Sequence, residues 1–189
     1  MIKIGILGAI GSGKSYVARN FGYPVFNADE EVAKLYNTDR KLYFKLKNLL
    51  PGYFYSFPIE KRKVLEAILD NKANLKKIIK LVHKEIKKKL RLFIKKNANK
   101  KMVILDIPLL LENKLNNKKD ILIFVQAKKY DIYKRLNKRK NFNTKLYEKF
   151  KKIQLPAIYK KKKSTYVIKN DFRKRTVLKK IKKILKDIK

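Results

Sequence analysis

The chain has 189 residues, 45% of them hydrophobic and 11% aromatic, enough for one compact domain with a small insertion and too few for two ordinary domains. That composition excludes a disordered chain, and the lack of cysteine with a single histidine excludes disulfides, thiolate zinc sites, iron–sulfur clusters, cysteine nucleophiles and histidine metal clusters. The formal net charge of +37 comes from 44 lysines against eight arginines, spread along the chain instead of gathered into the arginine stripe that pairs with phosphates.

With fifteen asparagines and abundant Ile, Tyr and Phe, the lysine excess reads as A/T-rich codon usage, attraction of anionic partners being the functional alternative. In chain order, residues 2–7 form a short apolar strand running straight into a glycine loop at Gly8, with no cleavage site between. Helical periodicity follows at 16–21, a second strand at 24–26, and helices at 30–36, 40–50, 59–69 and 75–94. Strands at 102–107 and 121–125, helices at 130–139 and 144–159, a last strand at 165–168 and a helix at 177–188 complete the pattern.

Alternating strands and helices imply an α/β fold, a parallel sheet covered on both faces. The helical stretch 40–95 is far longer than a crossover needs and reads as an inserted helical subdomain, and 129–163 reads as a second insertion. The run Lys160 to Lys163 reads as a solvated loop. Residues 177–188 carry an apolar stripe, Val177 or Leu178, Ile181, Ile184 or Leu185 and Ile188 among lysines, which closes a face of the sheet or, alternatively, lies on an anionic membrane. No apolar run nears the roughly 18 to 20 residues that span a bilayer. A cytoplasmic protein with no membrane partner is expected.

Gly8-Ala9-Ile10-Gly11-Ser12-Gly13-Lys14-Ser15 fits the P-loop pattern between a strand and a helix. Glycines let backbone N–H groups turn inward at a helix N-terminus to hold phosphate oxygens. Lys14 then reaches the outer phosphates, and the Ser15 hydroxyl meets the magnesium ion that bridges them. ATP and Mg2+ are therefore the expected cofactors, with Gly11, Ser12, Gly13, Lys14, Ser15 and Tyr16 on the ATP side. Asp29 stands at the carboxyl end of the second strand, where open α/β sheets gather ligands. It either orients an acceptor hydroxyl or caps the following helix.

Asn27-Ala28-Asp29, Arg62 with Leu65, Leu81-Val82-His83, Ile107-Pro108-Leu109-Leu110-Leu111-Glu112-Asn113, Arg135 with Arg139, Gln154 and Val167-Ile168-Lys169-Asn170, together with the loop, resemble the dephospho-coenzyme A kinase family from end to end. The resemblance implies transfer of the ATP γ-phosphoryl group to the ribose 3′-hydroxyl of dephospho-coenzyme A, in the last step of coenzyme A formation. It implies a three-layer α/β/α P-loop NTPase fold with a five-stranded parallel sheet ordered 2-3-1-4-5. The expected parts are a core (1–39, 100–128, 164–189), a helical acceptor-binding insertion (40–99) and a lid (129–163), in a monomer or small homo-oligomer with no specific nucleic-acid partner.

By the same resemblance Asp29, Lys14 and Arg139 are catalytic, Arg135 is an ATP-binding lid residue, and His83, Arg62, Pro108, Leu109 and Glu112 bind the acceptor. Arg135 and Arg139, four apart, share one face of a helix and close over the phosphates, or form a solvated face. His83 lines the acceptor pocket or packs on an apolar helix face, and Glu112 with Asn113 fixes the loop after Pro108 or touches the acceptor. Asp106 contacts magnesium through water or is structural, and Gln154 and Asn170 frame the adenine side. The chain departs from the family at Ala9 and Tyr16, at Asn27, where the family has aspartate, and at Lys84, where it has proline. The rival reading is another small-molecule kinase of this architecture, acting on a nucleotide or shikimate-like acceptor.

Overall fold

A computed structural model describes residues 1–140 and 142–188. The elements run β1 (Ile2–Gly8), α1 (Lys14–Arg19), β2 (Val25–Asn27), α2 (Ala28–Thr38), α3 (Arg40–Leu49), α4 (Lys61–Asp70), α5 (Lys72–Lys96), β3 (Met102–Asp106) and β4 (Ile121–Gln126). They continue through α6 (Lys129–Asn137), α7 (Thr144–Lys152), α8 (Ala157–Lys162), β5 (Tyr166–Lys169) and α9 (Lys174–Ile188). The chain divides into two units, Met1–Asn27 with Lys96–Lys189, and Ala28–Lys95.

The first unit holds a five-stranded, wholly parallel sheet in the order β2-β3-β1-β4-β5, the fold class and strand order expected from the sequence. Its strands are near-continuous apolar runs because both faces are covered: every residue of β3, Met102 to Asp106, is buried. On one face Ile4, Ile6, Ile104, Ile123 and Ile168 form a core with Val17 and Ala18 of α1, with Phe21 just after it, and with Val177, Ile181 and Ile184 of α9. The apolar stripe of α9 is thus spent on the sheet, and no helix among the described residues is long and apolar enough to cross a membrane. On the other face Leu110 packs so close to Gly5 that any Cβ there would meet its Cδ2 at 2.5 Å.

The expected helix 144–159 is two helices. α7 starts at an Asn143 cap whose side chain accepts from Leu146 N at 2.9 Å and stops at Ile153; α8 begins after Pro156. Proline lacks the N–H a continuous helix needs and crowds the preceding turn. Lys160, assigned by sequence to a solvated loop, lies in α8 and is 2% exposed.

The second unit is helical. Val64, Ala67, Ile68, Leu75, Ile78, Val82 and Ile86 form the buried stripes of α4 and α5, and Leu42, Tyr43 and Leu46 that of α3. Asp39 caps α3 by accepting from Leu42 N at 2.9 Å. Glu85 of α5 accepts from Lys45 of α3 at 3.1 Å and Lys88 at 3.0 Å. Burial pushes its carboxyl up, but hydrogen bonds from the two lysines prevail and hold it below the ordinary value.

Candidate functional site

The site is built around the turn between β1 and α1. Gly13, the N-cap of α1, has φ 92°, and a Cβ on it would meet Asn170 Nδ2 at 2.4 Å. Gly11 has φ 81°, and a Cβ there would press into Ile132 at 3.0 Å and Leu136 at 3.1 Å. Both positions need the left-handed freedom and the missing side chain of glycine, so the spacing of the motif follows from this geometry. The second contact also shows that α6 packs directly on the loop. Lys14 Nζ donates to the loop's own carbonyls, Gly8 O at 3.2 Å and Ala9 O at 2.9 Å. Ser15 is half-buried and Tyr16 is exposed at the start of α1. Ser12 is 1% exposed, and its Oγ lacks a hydrogen-bond partner among the described residues.

Two side chains beyond the motif fix the loop and the strand ends. Asn170, 4% exposed, donates through Nδ2 to Ser12 O at 2.8 Å and accepts at Oδ1 from Phe172 N at 2.9 Å. These two bonds make it a clamp between the phosphate loop and the segment after β5. At the ends of β2 and β3, Asn27 and Asp106 are register neighbours, and Asn27 Nδ2 donates to Asp106 Oδ2 at 2.8 Å. An aspartate at 27, as in the family pattern, would set two carboxylates against each other at that distance, a pairing that needs a shared proton or a cation. The amide removes that need.

The residues expected to form a lid lie on α6 and after it. α6 ends at Asn137 with Lys138 as its C-cap, so Arg135 is in the last turn while Arg139 follows in a bend where its N bonds to Leu136 O at 3.0 Å. The expected single helix 130–139 stops short, and helical spacing alone does not align the two guanidinium groups. Arg135 lies over the Phe172 ring, 5.0 Å from its centroid. In the turn after β3, Pro108 and Leu109 are half-buried and Asn113 Nδ2 donates to Leu109 O at 2.8 Å. Glu112 Oε1 accepts from Leu155 N at 3.0 Å and pairs with Lys160 Nζ at 2.8 Å, with both side chains less than a tenth exposed.

The other candidates belong to the helical unit. Asp29 is exposed in the first turn of α2, a helix that starts at Ala28; it is one residue inside the helix and not its cap, which corrects the alternative role read from sequence. There the axial dipole favours its negative charge. Arg62 is exposed at the start of α4, its Nε 3.6 Å from Glu66 Oε1, a surface pair too weak to hold it against a stronger anion. His83 is half-buried on α5; burial first, and the charge of Lys87 second, lower its imidazole below the ordinary value. Sequence reasoning missed Lys160 and Phe172. A lysine run signals exposure, and nothing in the dipeptide Asp171-Phe172 signals a left-handed turn.

Among the described residues no group of three or more His, Asp or Glu is placed to hold a metal. The donors present, the Ser15 hydroxyl and the Asp106 carboxylate, are hard oxygen ligands few in number. That set suits magnesium, which keeps several waters and takes most of its protein-side anchoring through a nucleotide's phosphates.

Comparison with known proteins points the same way. The family described as dephospho-CoA kinase matches residues 2–175. A dephospho-CoA kinase from Wolbachia sp. subsp. Brugia malayi is 34% identical over 187 residues, covering 96% of this chain and 95% of the relative. The crystal structure of TT1252 from Thermus thermophilus superposes with TM-score 0.77 at 26% identity, covering 100% of this chain and 98% of that one. Dephospho-CoA kinase from Campylobacter jejuni shares the fold, with TM-score 0.64 at 19% identity over 98% of this chain and 96% of its own. With a left-handed glycine loop at the end of β1, a sheet ordered 2-3-1-4-5 and these relatives along nearly its whole length, the chain belongs to the dephospho-CoA kinase family.

Proposed function

We propose that this ATP-dependent kinase moves the γ-phosphoryl group of ATP to the 3′-hydroxyl of dephospho-CoA with the phosphates held on Gly11, Ser12, Gly13, Lys14, Ser15 and Tyr16 and with Asp29 orienting the acceptor hydroxyl. The observation that carries the reading is the loop itself. Gly11 and Gly13 turn left-handed just before α1 and Lys14 rests on the loop carbonyls Gly8 O and Ala9 O, which supports a backbone curl of the kind that receives phosphate. Lys14 exchanges two neutral loop carbonyls for phosphate oxygens when nucleotide enters. The Ser15 hydroxyl and the Asp106 carboxylate would hold magnesium, which would supply neutralisation of phosphate charge. Such transfers need in-line placement and charge cancellation more than covalent help.

Arg135 and Arg139 bring positive charge to the transferring group from the lid. His83, Arg62, Pro108 and Leu109 bind the acceptor, and Glu112 serves that pocket indirectly, through the ion pair that fixes its loop. Asp29 accepts or orients the hydroxyl proton, a role the neutral Asn27 does not share.

The experiment pairs an acceptor panel with one substitution. ADP release from magnesium-ATP is followed with dephospho-CoA, AMP and shikimate; release with dephospho-CoA alone is expected, and equal or faster release with another acceptor refutes the substrate assignment. Asp29→Asn keeps size and hydrogen bonding but removes the charge, so turnover should fall roughly 10²- to 10⁴-fold with ATP affinity unchanged. Near-normal turnover in Asp29→Asn, or its recovery on adding Asn27→Asp, assigns the proton to another residue.

A further inference from the structure

Phe172 has φ 61°. For a bulky side chain without glycine's freedom this left-handed conformation is an outlier, and such outliers persist only where the surroundings over-determine them. Here they do. Asn170 Oδ1 accepts from Phe172 N at 2.9 Å, and Asp171 accepts from Arg173 N at 3.0 Å and from Thr176 Oγ1 at 2.9 Å, fixing the backbone on both sides. The ring edge comes within 3.4 Å of where a Cβ of Gly13 would sit. Its face carries the Arg135 guanidinium at 5.0 Å. The same Asn170 holds Ser12 O of the phosphate loop at 2.8 Å, so loop, strained turn, aromatic ring and arginine form one connected chain of contacts.

We infer that Phe172 is a positioning residue for nucleotide: it is a strained aromatic shelf that holds Arg135 beside the phosphate loop while leaving its donors available. This rests on the role of Arg135 proposed above. The chemistry of the holder is the argument. A guanidinium carries its five N–H donors in the plane of the group, and an aromatic ring engages only the face. A carboxylate holder would take two of those donors and neutralise the charge that phosphate must meet. Stacking restricts where the long side chain goes, so less freedom is lost on binding, and keeps both fork and charge for the nucleotide. The ring therefore acts on ATP through Arg135 and leaves the acceptor untouched.

The test uses three variants of the full chain with the same backbone strain at 172. Phe172→Leu keeps bulk and removes the π-face; Phe172→Tyr keeps the face; Arg135→Ala removes what is held. ATP affinity is measured without acceptor, by titration calorimetry, alongside kcat and KM for both substrates and thermal melts. Phe172→Leu should weaken ATP binding or lower kcat/KM for ATP by about 3- to 30-fold, the range of a cation–π contact between exposed and desolvated limits, with KM for dephospho-CoA and Tm unchanged. Phe172→Tyr should stay near the parent. In an Arg135→Ala background Phe172→Leu should have no further effect.

Full activity in Phe172→Leu overturns the inference, as does an equal, additive loss in the Arg135→Ala background, and either leaves the kinase reading intact. An Arg135→Ala protein with parental ATP affinity and turnover removes the role assigned to Arg135 and this inference with it. A Phe172→Leu protein that has lost Tm and turnover together, with Phe172→Tyr equally impaired, makes the ring a packing element only and also overturns it.

Discussion

Lys160→Met offers the strongest physical test of the packing described above. Lys160 Nζ lies 2.8 Å from Glu112 Oε1, with side-chain exposures of 3% and 9%, yet neither Lys160 Nζ nor Glu112 Oε2 makes a hydrogen bond among the described residues. The pair is close but poorly aligned, so its Coulomb attraction offsets desolvation incompletely. Removing the ammonium leaves a buried carboxylate without its countercharge, a loss of about 3–5 kcal/mol. For a chain of this size each kcal/mol is worth about 2–4 °C, so Tm should drop by roughly 6–20 °C. Glu112→Gln strands the ammonium instead and should be similarly damaging, although its amide oxygen still accepts from Leu155 N, now 3.0 Å from Glu112 Oε1.

The double variant decides the cause. Met and Gln together leave no buried charge and keep the Leu155 bond, so most of the stability should return, by the pattern seen when buried ion pairs are replaced by groups of similar volume. Thermal and urea melts of the four proteins give the cycle, and an ADP-coupled assay on the same samples gives turnover. A loss below about 1 kcal/mol in Lys160→Met would mean that the ammonium is solvated like its neighbours Lys161 to Lys163, and the burial argument fails. If the double variant is stable but has lost acceptor KM, Glu112 touches the acceptor directly, and its indirect role proposed above is wrong.

Lys14→Ala should remain folded, because its bonds to Gly8 O and Ala9 O are part-buried and worth about 0.5–1.5 kcal/mol each, while turnover falls roughly 10²- to 10³-fold as the phosphates lose their fixed cation; more than a tenth of parental turnover would contradict the loop assignment. Burial pushes the Tyr36 phenol up to about 12, above an unfolded value near 10. Between those two the unfolded chain sheds a proton that the folded one keeps, so stability falls as pH rises through about 10 to 12, by on the order of 2–3 kcal/mol from this group. Tyr36→Phe should flatten that decline in urea melts taken from pH 9 to 12, and an unchanged slope would show that Tyr36 ionises freely in the folded protein.

What could be read from the sequence, and what could not, divides along a physical line. The phosphate loop was legible because its demands are on the backbone: Gly11 and Gly13 stand where φ is 81° and 92°, and no other residue type serves there cheaply. The strands were legible because sheet burial on both faces leaves unbroken apolar runs such as Met102 to Leu105. The break at Pro156 was also available to local reasoning, since proline's missing N–H acts within one turn; helical periodicity on both sides of it masked the signal. Lys160 was not available. Its neighbours in sequence are exposed lysines, and what buries it is Glu112, 48 positions away in the chain, a relation no local pattern carries.

Asn27 and Phe172 carry this further, because each breaks a local expectation and each is explained by a partner. Asn27 reads from sequence as a departure from the family's aspartate. Beside Asp106 Oδ2 at 2.8 Å it gives a buried carboxylate at the end of β3 a hydrogen-bond donor where a second carboxylate would repel it. A phenylalanine at φ 61° reads as a misfit. Against Gly13 and under Arg135 it occupies the place where a ring, and not merely a permissive backbone, has something to hold. In both cases the residue is explained by a partner on another element, Asp106 for Asn27 and Arg135 for Phe172. Substitutions that restore the local rule, Asn27→Asp and Phe172→Gly, should then relieve nothing that matters to the kinase: the first places a second carboxylate against Asp106, and the second relaxes the turn while releasing Arg135.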